Sequence, residues 1–313
     1  MSFQRQIIQF GSLLVACFSL THCALNPPNI PIPATLPPPV KLKVRPQVAL
    51  VLGSGGARGY AHVGVLQVLQ DAGVPINLVV GSSVGSVVGA LFADHGRWQE
   101  AYRAMMSGKF WTFADISAIP RPTGIMTGYH LQRFLFNSMR ATTFRQLTVP
   151  LAVVTTDLMQ GKPFVIKSGP IAPAAEASAS IPGLVQPAHL YGRILVDGGV
   201  VDPVPADIAL QYHPKLIIAV NINKQLTSTM PVNNFGIMSR SFSIIYRQLT
   251  MKGSSKADVI IYPKVGVAST FSTKDKYILF QEGQLAAKKA LPKILRLMRQ
   301  RGIKRQHPTR RKA

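Results

Sequence analysis

The amino-acid sequence predicts an α/β fold with three layers, in which helices cover both faces of a mostly parallel central sheet. Short runs rich in Val, Ile and Leu alternate along the chain with longer stretches of helical spacing. Strands that are apolar throughout are typical of parallel sheets buried on both faces. The 313 residues, 47% of them hydrophobic, are also enough for one large core.

The predicted elements alternate within one domain, which we place at residues 47–300. Apolar runs predict strands at 47–52, 77–80, 151–155, 164–166, 194–196, 216–221 and 259–261. Helical spacing predicts helices at 59–71, 84–94, 129–138, 203–212 and 235–251. Near the C-terminus, helical spacing recurs at Leu291, Ile294, Leu295 and Met298. We expect this stripe to pack on the domain, with a membrane-surface helix as the alternative.

Residues 1–25 have the features of an export segment. Arg5 is the single charge before a short apolar stretch that ends at Ala16, and this is the pattern of a secretory signal. The run Leu14-Val15-Ala16-Cys17 resembles the lipobox of bacterial lipoproteins, which implies acylation of Cys17. Cys23 is a second candidate for lipidation, although His22 departs from the small residue expected before that cysteine.

An uncleaved anchor and an ordinary signal peptide are the alternatives to a lipoprotein signal. We expect the protein to be lipid-anchored in the bacterial cell envelope, facing the periplasm or in the outer membrane, or else secreted. Both cysteines precede the domain, so its body has no disulfide and no thiolate metal site. We expect neither a metal nor a cofactor.

Two segments flank the predicted domain, and the chain as a whole is strongly basic. Residues 26–46 contain eight prolines, which predicts an extended linker that acts as a stiff spacer. Residues 301–313 form a basic tail, and the whole chain carries a net charge of +23. Such a charge attracts anionic partners, and we expect a membrane surface of anionic lipid. Nucleic acid is disfavoured because no basic motif is interleaved with aromatic residues.

The first motif that suggests catalytic chemistry is Gly81-Ser82-Ser83-Val84-Gly85, which follows a predicted strand and opens a predicted helix. This context and spacing are those of a nucleophile elbow, in which a strained turn exposes the central serine. Gly81 and Gly85 leave room for close packing of strand and helix. A simple helix-capping turn is the alternative. The motif makes Ser83 the candidate nucleophile.

The second motif is the glycine-rich loop from Gly53 to Gly59, between the first strand and the first helix. Bare N–H groups at a helix N-terminus suit either a phosphate or the oxyanion of a tetrahedral intermediate. The spacing is not that of a dinucleotide-binding loop, and the Gly-Lys-Ser/Thr of a P-loop is missing. We therefore favour an oxyanion hole that uses the N–H groups of Gly55 and Gly56, with Arg58 nearby.

The third motif is Asp197-Gly198-Gly199 at the end of a predicted strand. A lone Asp-Gly pair is usually only a turn. The functional interpretation is that Asp197 lies at the same carboxyl edge of the sheet as the other two loops and forms a hydrogen bond with Ser83.

These motifs, in this order, resemble the patatin-like phospholipase family. The resemblance extends to Tyr60-Ala61-His62-Val63-Gly64 after the glycine loop, and to Ser178-Ala179-Ser180-Ile181-Pro182 and Asp202-Pro203-Val204-Pro205 later in the chain. Ser54 and Asp202 are small departures, at positions where many members have Gly and Asn. The resemblance runs from about residue 47 to 262.

The resemblance implies a serine hydrolase that cleaves carboxylic esters of phospholipids or lysophospholipids. It implies a Ser83–Asp197 dyad without histidine, in which the carboxylate itself is the base and an acyl-serine forms. His189, just before the Asp197 strand, is the best rival for a third member. A non-catalytic lipoprotein that binds lipid or fatty acid is the alternative function.

Overall fold

The computed structural model describes residues 30–40, 42, 44–116, 122–223, 226, 232–266 and 274–306. The predicted export segment 1–25, with Cys17 and Cys23, lies outside these residues, as do the last seven residues of the basic tail, 307–313.

The elements alternate as the sequence predicts. The strands are β1 (Val48–Leu52), β2 (Ile76–Ser82), β3 (Leu151–Asp157), β4 (Lys162–Ile166), β5 (Ala188–Leu190), β6 (Arg193–Asp197), β7 (Leu216–Val220) and β8 (Val259–Ile261). The helices are α1 (Tyr60–Asp71), α2 (Val84–His95), α3 (Trp98–Ser107), α4 (Phe110–Phe113), α5 (Tyr129–Ser138), α6 (Ile171–Ser178), α7 (Ala206–Leu210), α8 (Asn234–Ser254) and α9 (Lys276–Gln300). Short 3₁₀ helices occupy Gly56–Gly59, Phe144–Gln146 and Gly198–Val200.

The eight strands form one sheet in the order β5-β6-β3-β2-β1-β7-β8, with β4 on β3. Side chains of β1 alternate between its faces: Leu50 and Leu52 join the larger core under α1, α2 and α9, and Ala49 and Val51 join a smaller core under α7. The prediction of a three-layer α/β/α fold is therefore confirmed.

One flank of the sheet is antiparallel, and this changes how Asp197 reaches the site. From β3 to β8 by way of β2, β1 and β7, all neighbours are parallel, whereas β4, β6 and β5 pair in antiparallel fashion. Asp197 does lie at the edge that carries the other two loops, as expected, but it ends an antiparallel strand and not a parallel one. Because β6 runs against β3, its C-terminal residue approaches from the opposite direction.

The register on β3 explains where Asp197 ends up. One edge of β3 is taken by β4 over residues 153–157, so β2 and β6 must share the other edge. On that edge, Ser82 of β2 is opposite Val154, and Asp197 of β6 is opposite Thr155, the next residue. The two strands therefore meet end to end, and Asp197 faces the residue that follows Ser82.

Both flanking segments pack on the domain over the residues described. Within 30–40 of the proline-rich segment, Ile30, Leu36 and Val40 contact the larger core, and Ser168 donates a hydrogen bond of 2.6 Å to the carbonyl of Pro37. The prediction of a stiff spacer is wrong for residues 30–40, because their aliphatic side chains pack on the apolar surface of the domain.

The domain also continues beyond its expected end at residue 300. After α9, Gly302 adopts φ 64° and the chain turns back, so that Ile303 is buried and Arg301 pairs with Asp258 at 2.6 Å. Ile294 and Met298 of α9 are also buried, which confirms that this helix packs on the domain. Within the described ranges, no helix has the length and apolar character needed to cross a bilayer.

Candidate active site

The turn at Ser83 has the strained geometry of a nucleophile elbow. Ser83 joins β2 to α2 with φ 55° and ψ −127°, a region that side chains avoid. The turn is tight: a Cβ on Gly85 would lie 1.9 Å from the carbonyl oxygen of Leu52, and one on Gly81 would lie 2.6 Å from that of Gly85. The two glycines that flank the motif are therefore required by backbone contact.

Hydrogen bonds hold every polar group of Ser83. Its N–H donates to the Ser178 hydroxyl at 2.8 Å, and its carbonyl accepts from the Ser86 hydroxyl at 2.6 Å. The Ser178 hydroxyl donates in turn to the carbonyl of Val154 on β3 at 2.6 Å. These bonds fix a strained residue in one conformation, which is the usual condition for strain to persist in a fold.

The Ser83 hydroxyl donates to Asp197 Oδ2 at 2.6 Å, although 114 residues separate the two. The other oxygen, Oδ1, accepts from the N–H of Gly199 at 2.7 Å. Both side chains are almost fully buried. Burial raises the pKa of Asp197 to about 6, and the hydrogen bonds from Ser83 and Gly199 oppose this rise. Asp197 is thus a stronger base than an ordinary carboxylate, yet ionised at neutral pH.

The glycine-rich loop adjoins Ser83 at the wall of a pocket, which Gly56 and Ala57 line. Gly56 opens a 3₁₀ helix with φ 57°, where N–H groups have no partner within the helix. Among the described residues, no hydrogen bond takes the N–H of Gly55 or Gly56. Gly55 is not among the residues that line the pocket, so the geometry favours Gly56 as the donor nearest the substrate.

Arg58 and His62 support the loop from behind. Arg58 Nε donates to the carbonyl of Gly55 at 2.8 Å, and His62 Nε2 lies 2.8 Å from the carbonyl oxygen of Gly53. Burial lowers the pKa of His62 to about 4, with the Gly53 contact opposing it. The imidazole is therefore neutral and donates to Gly53. Arg58 is buried and orients the loop; the structure does not place it in the pocket wall.

The pocket beside Ser83 encloses about 890 Å³ of space, which includes its open mouth. Its walls are mainly apolar, with apolar side chains from five helices and from the loop after α6, among them Tyr60, Val87, Met105, Phe113, Leu131 and Ile181. Such a lining suits a hydrocarbon chain. Asp197 is not in the lining, so the base lies behind the nucleophile.

The sequence did not reveal two acids in the pocket wall. Glu176 accepts hydrogen bonds from Ser180 at 2.8 Å and from Gln132 at 3.4 Å, and burial raises its pKa to about 7. Asp115 accepts from the N–H groups of Thr127 and Gly128, which helps to hold its pKa below the ordinary value against burial. No motif marks either acid.

Tyr246 of α8 also escaped prediction. Burial raises the pKa of its hydroxyl, the Asp197 carboxylate raises it further, and Ser54 and Arg58 oppose the rise. Its hydroxyl therefore lies beside Ser54 of the glycine-rich loop and within the electrostatic field of Asp197. Ser54 in turn donates to Ser82 at 2.9 Å, which ties the loop to the strand before the nucleophile.

No histidine among the described residues forms a hydrogen bond with Ser83 or Asp197. His189 is exposed on β5, where it pairs with Ile194, and the structure gives it no contact with the dyad.

Comparison with known proteins relates the sequence to a family of lipid hydrolases. Residues 50–210 match the family model described as patatin-like phospholipase. An uncharacterised NTE family protein of Mycobacterium tuberculosis is 38% identical over 193 residues, which are 60% of this chain and 53% of that protein. Human patatin-like phospholipase domain-containing protein 6 is 34% identical over 188 residues, which are 57% of this chain and 13% of that protein.

The chain spans about half the length of the mycobacterial relative, and far less of the larger one. Among solved structures, VipD from Legionella pneumophila aligns with a TM-score of 0.55 and 14% identity, over 83% of this chain and 70% of that one. At this identity the likeness concerns the fold alone.

Proposed function

Because the chain belongs to the patatin-like phospholipase family, we propose that it hydrolyses carboxylic esters of membrane lipids, of the phospholipase A or lysophospholipase type, with Ser83 as nucleophile and Asp197 as base. The observation that carries the proposal is the 2.6 Å hydrogen bond from the Ser83 hydroxyl to a buried carboxylate whose pKa burial raises to about 6. A relative named lysophospholipase nte1, from Aspergillus fumigatus, is 33% identical over 182 residues, which supports this substrate class.

In the acylation step, Asp197 takes the proton of the Ser83 hydroxyl as the oxygen attacks the ester carbonyl. The negative charge moves to the carbonyl oxygen, where the N–H of Gly56, with Gly55 behind it, stabilises it. When the tetrahedral intermediate collapses, the C–O bond to the alcohol breaks. The alcohol leaves with the proton held by Asp197, and the acyl group stays on Ser83.

Deacylation reverses these roles. A water molecule enters, Asp197 takes one of its protons, and the hydroxide attacks the acyl carbonyl. The second intermediate collapses, the proton returns to Ser83, and the fatty acid leaves. The apolar wall beside Ser83 gives the acyl chain a place to lie during both steps.

The site of action is part of the proposal. The apolar start of the chain and the lipobox-like run before Cys17, with Cys23 as the second candidate, support a lipid-anchored or secreted protein of the bacterial cell envelope. The net charge of +23 supports anionic lipid as the surface on which it acts.

A fluorophosphonate probe tests the chemistry. We expect covalent labelling of the Ser83 peptide in the folded wild-type chain, no labelling of Ser83→Ala, and release of fatty acid from lysophosphatidylcholine by wild type only. Absence of labelling in folded protein that still binds fatty acid would favour the alternative, a lipid-binding lipoprotein.

A further inference from the structure

Among the described residues of helix α8, the buried side chains lie in its C-terminal turns. Thr250 and Ser254 are buried, Thr250 accepts a hydrogen bond of 2.6 Å from Asn223, and Gly253 lies against the carbonyl of Val204. None of the described side chains from 232 to 249 is buried. The described side chains of this stretch are therefore half-buried or exposed, and its large apolar ones are exposed.

The unpacked part extends past the catalytic end of the sheet. The Tyr246 hydroxyl forms a hydrogen bond with Ser54 of the glycine-rich loop and feels the charge of Asp197, so Tyr246 marks the level of the active site along the helix. As a crossover between the parallel strands β7 and β8, α8 runs against the strands. Residues 234–245 precede Tyr246 and reach roughly 18 Å further, at about 1.5 Å per residue.

The outer side of this segment is apolar. Five large side chains are exposed there: Ile237 (53%), Met238 (51%), Phe242 (64%), Ile244 (44%) and Ile245 (55%). At about 100° per residue they cover one half of the helix, opposite the side on which Tyr246 and Thr250 face the domain. Water is a poor partner for so much contiguous apolar surface.

The charges on the helix all have one sign. Arg240, Arg247 and Lys252 are basic, and no Asp or Glu occurs between Asp207 and Asp258. Arg240 and Arg247 are seven residues apart and so border the apolar half along one side. An apolar face bordered by basic residues is typical of helices that lie in a membrane interface.

We propose that residues 234–245 of α8 dock the enzyme on an anionic lipid bilayer, with the apolar half at the boundary between headgroups and acyl chains. The proposal rests on the proposed function, since a bilayer is where the substrate lies. It deepens that function because the docking element stands at the catalytic end of the sheet. A second copy of the chain fits less well, since pairing two such helices would bring like charges together.

Vesicle flotation of the full chain tests the docking. The background carries Ser83→Ala, so that lipid is not consumed, together with Cys17→Ser and Cys23→Ser, so that no acyl anchor contributes. With vesicles of equimolar phosphatidylcholine and phosphatidylglycerol, we expect Phe242→Ser/Ile245→Ser to lower the partition coefficient about tenfold or more. Ile237→Ser/Met238→Ser should do the same if the first pair fails to fold.

Two controls isolate the apolar and the charged contributions. Leu210→Ser/Leu285→Ser removes apolar side chains that are 46% and 58% exposed on α7 and α9, and should change binding less than about twofold. Arg247→Gln should weaken binding to the mixed vesicles about fivefold and leave binding to pure phosphatidylcholine unchanged.

Unchanged vesicle binding by folded α8 variants would overturn the proposal. So would a loss of dimers, measured by light scattering, with vesicle binding intact, since the face would then belong to a second copy. Failure of the proposed function looks different: wild type would hydrolyse no ester, whereas the Ser83→Ala background would still bind vesicles through α8.

Discussion

The Ser83 turn and the projecting half of α8 lie at the same end of the sheet and are built in opposite ways. At the turn, polar groups are buried, the backbone is strained, and every donor and acceptor of Ser83 is engaged. Along residues 234–245, large apolar side chains are exposed and none of the described side chains is buried. A rigid polar site suits bond chemistry, whereas an unpacked apolar helix suits a surface outside the protein.

The largest expected effect comes from removing the nucleophile at the Ser83 turn. Ser83→Ala removes the atom that attacks the ester, so we expect turnover of lysophosphatidylcholine and of a water-soluble ester to fall at least about 10⁴-fold. Initial rates of purified protein measure this. A residual rate within about tenfold of wild type would show that another group is the nucleophile.

The next effect concerns the stability that the tight turn requires. A Cβ on Gly85 would lie 1.9 Å from the Leu52 carbonyl oxygen, so Gly85→Ala should lower the free energy of unfolding by at least about 3 kcal/mol. Gly161→Ala is the matched control, because nothing lies within 4 Å of its Cβ and only its φ of 62° is unfavourable. It should cost about 1–2 kcal/mol. Equal costs in urea denaturation would contradict the tight packing at Ser83.

Removing the buried charge of Asp197 should stabilise the fold above neutral pH. Its folded pKa of about 6 lies above the ordinary value of 3.8, so the stability present below pH 4 is lost as pH rises through about 6. At pH 8, Asp197→Asn should therefore raise the free energy of unfolding by about 2–3 kcal/mol. At pH 4 the gain should vanish.

Urea denaturation at both pH values measures this difference. Asp71→Asn, at an exposed position, is the control and should change the free energy of unfolding by less than about 0.5 kcal/mol. An equal gain at both pH values would mean that ionisation of Asp197 has no part in it.

The pKa of Asp197 also governs catalysis. Ionisation of this carboxylate lowers the stability of the fold but raises the rate of the reaction. Asp197 accepts a proton only when ionised, so kcat/KM for a water-soluble ester should fall about tenfold for each pH unit below a pKa of about 6. A profile that is flat between pH 5 and 8 would contradict a carboxylate base with this pKa.

The smallest expected effect lies where the two regions meet. Tyr246 is a residue of α8 whose hydroxyl forms a hydrogen bond with Ser54 and feels the charge of Asp197. Tyr246→Phe removes about one hydrogen bond, so turnover of a soluble ester should fall roughly two- to tenfold. Vesicle binding should not change, because Tyr246 faces the domain and not the apolar half of the helix. A loss of vesicle binding in this variant would contradict the assignment of catalysis and membrane docking to separate regions.

The sequence predicted the fold and the candidate residues well where the signal is local. Each predicted strand is present within two residues of its expected bounds, because strands are short apolar runs that differ in period from the helices between them. The Ser83 turn was found because strain demands glycines at fixed spacing. Helices α3, α4 and α6 were missed, since their patterns are weak or contain proline.

Contacts that depend on packing could not be predicted. The antiparallel pairing of β6 is set by its partner β3 and by nothing within Ile194–Val196 itself. Tyr246 and Glu176 look like ordinary helix residues until neighbouring elements enclose the Tyr246 hydroxyl and bury Glu176. The proline-rich stretch looked like a free spacer because composition shows stiffness and not whether apolar surface lies nearby.

The most direct test of the Ser83–Asp197 pair is to trap the acyl-enzyme. Wild-type protein mixed with a chromogenic ester and quenched in acid should show the mass of one acyl group on the Ser83 peptide. Asp197→Asn should acylate at least about 10³-fold more slowly, and His189→Ala should acylate at nearly the wild-type rate. Rapid acylation of Ser83 in the Asp197→Asn protein would contradict a carboxylate base.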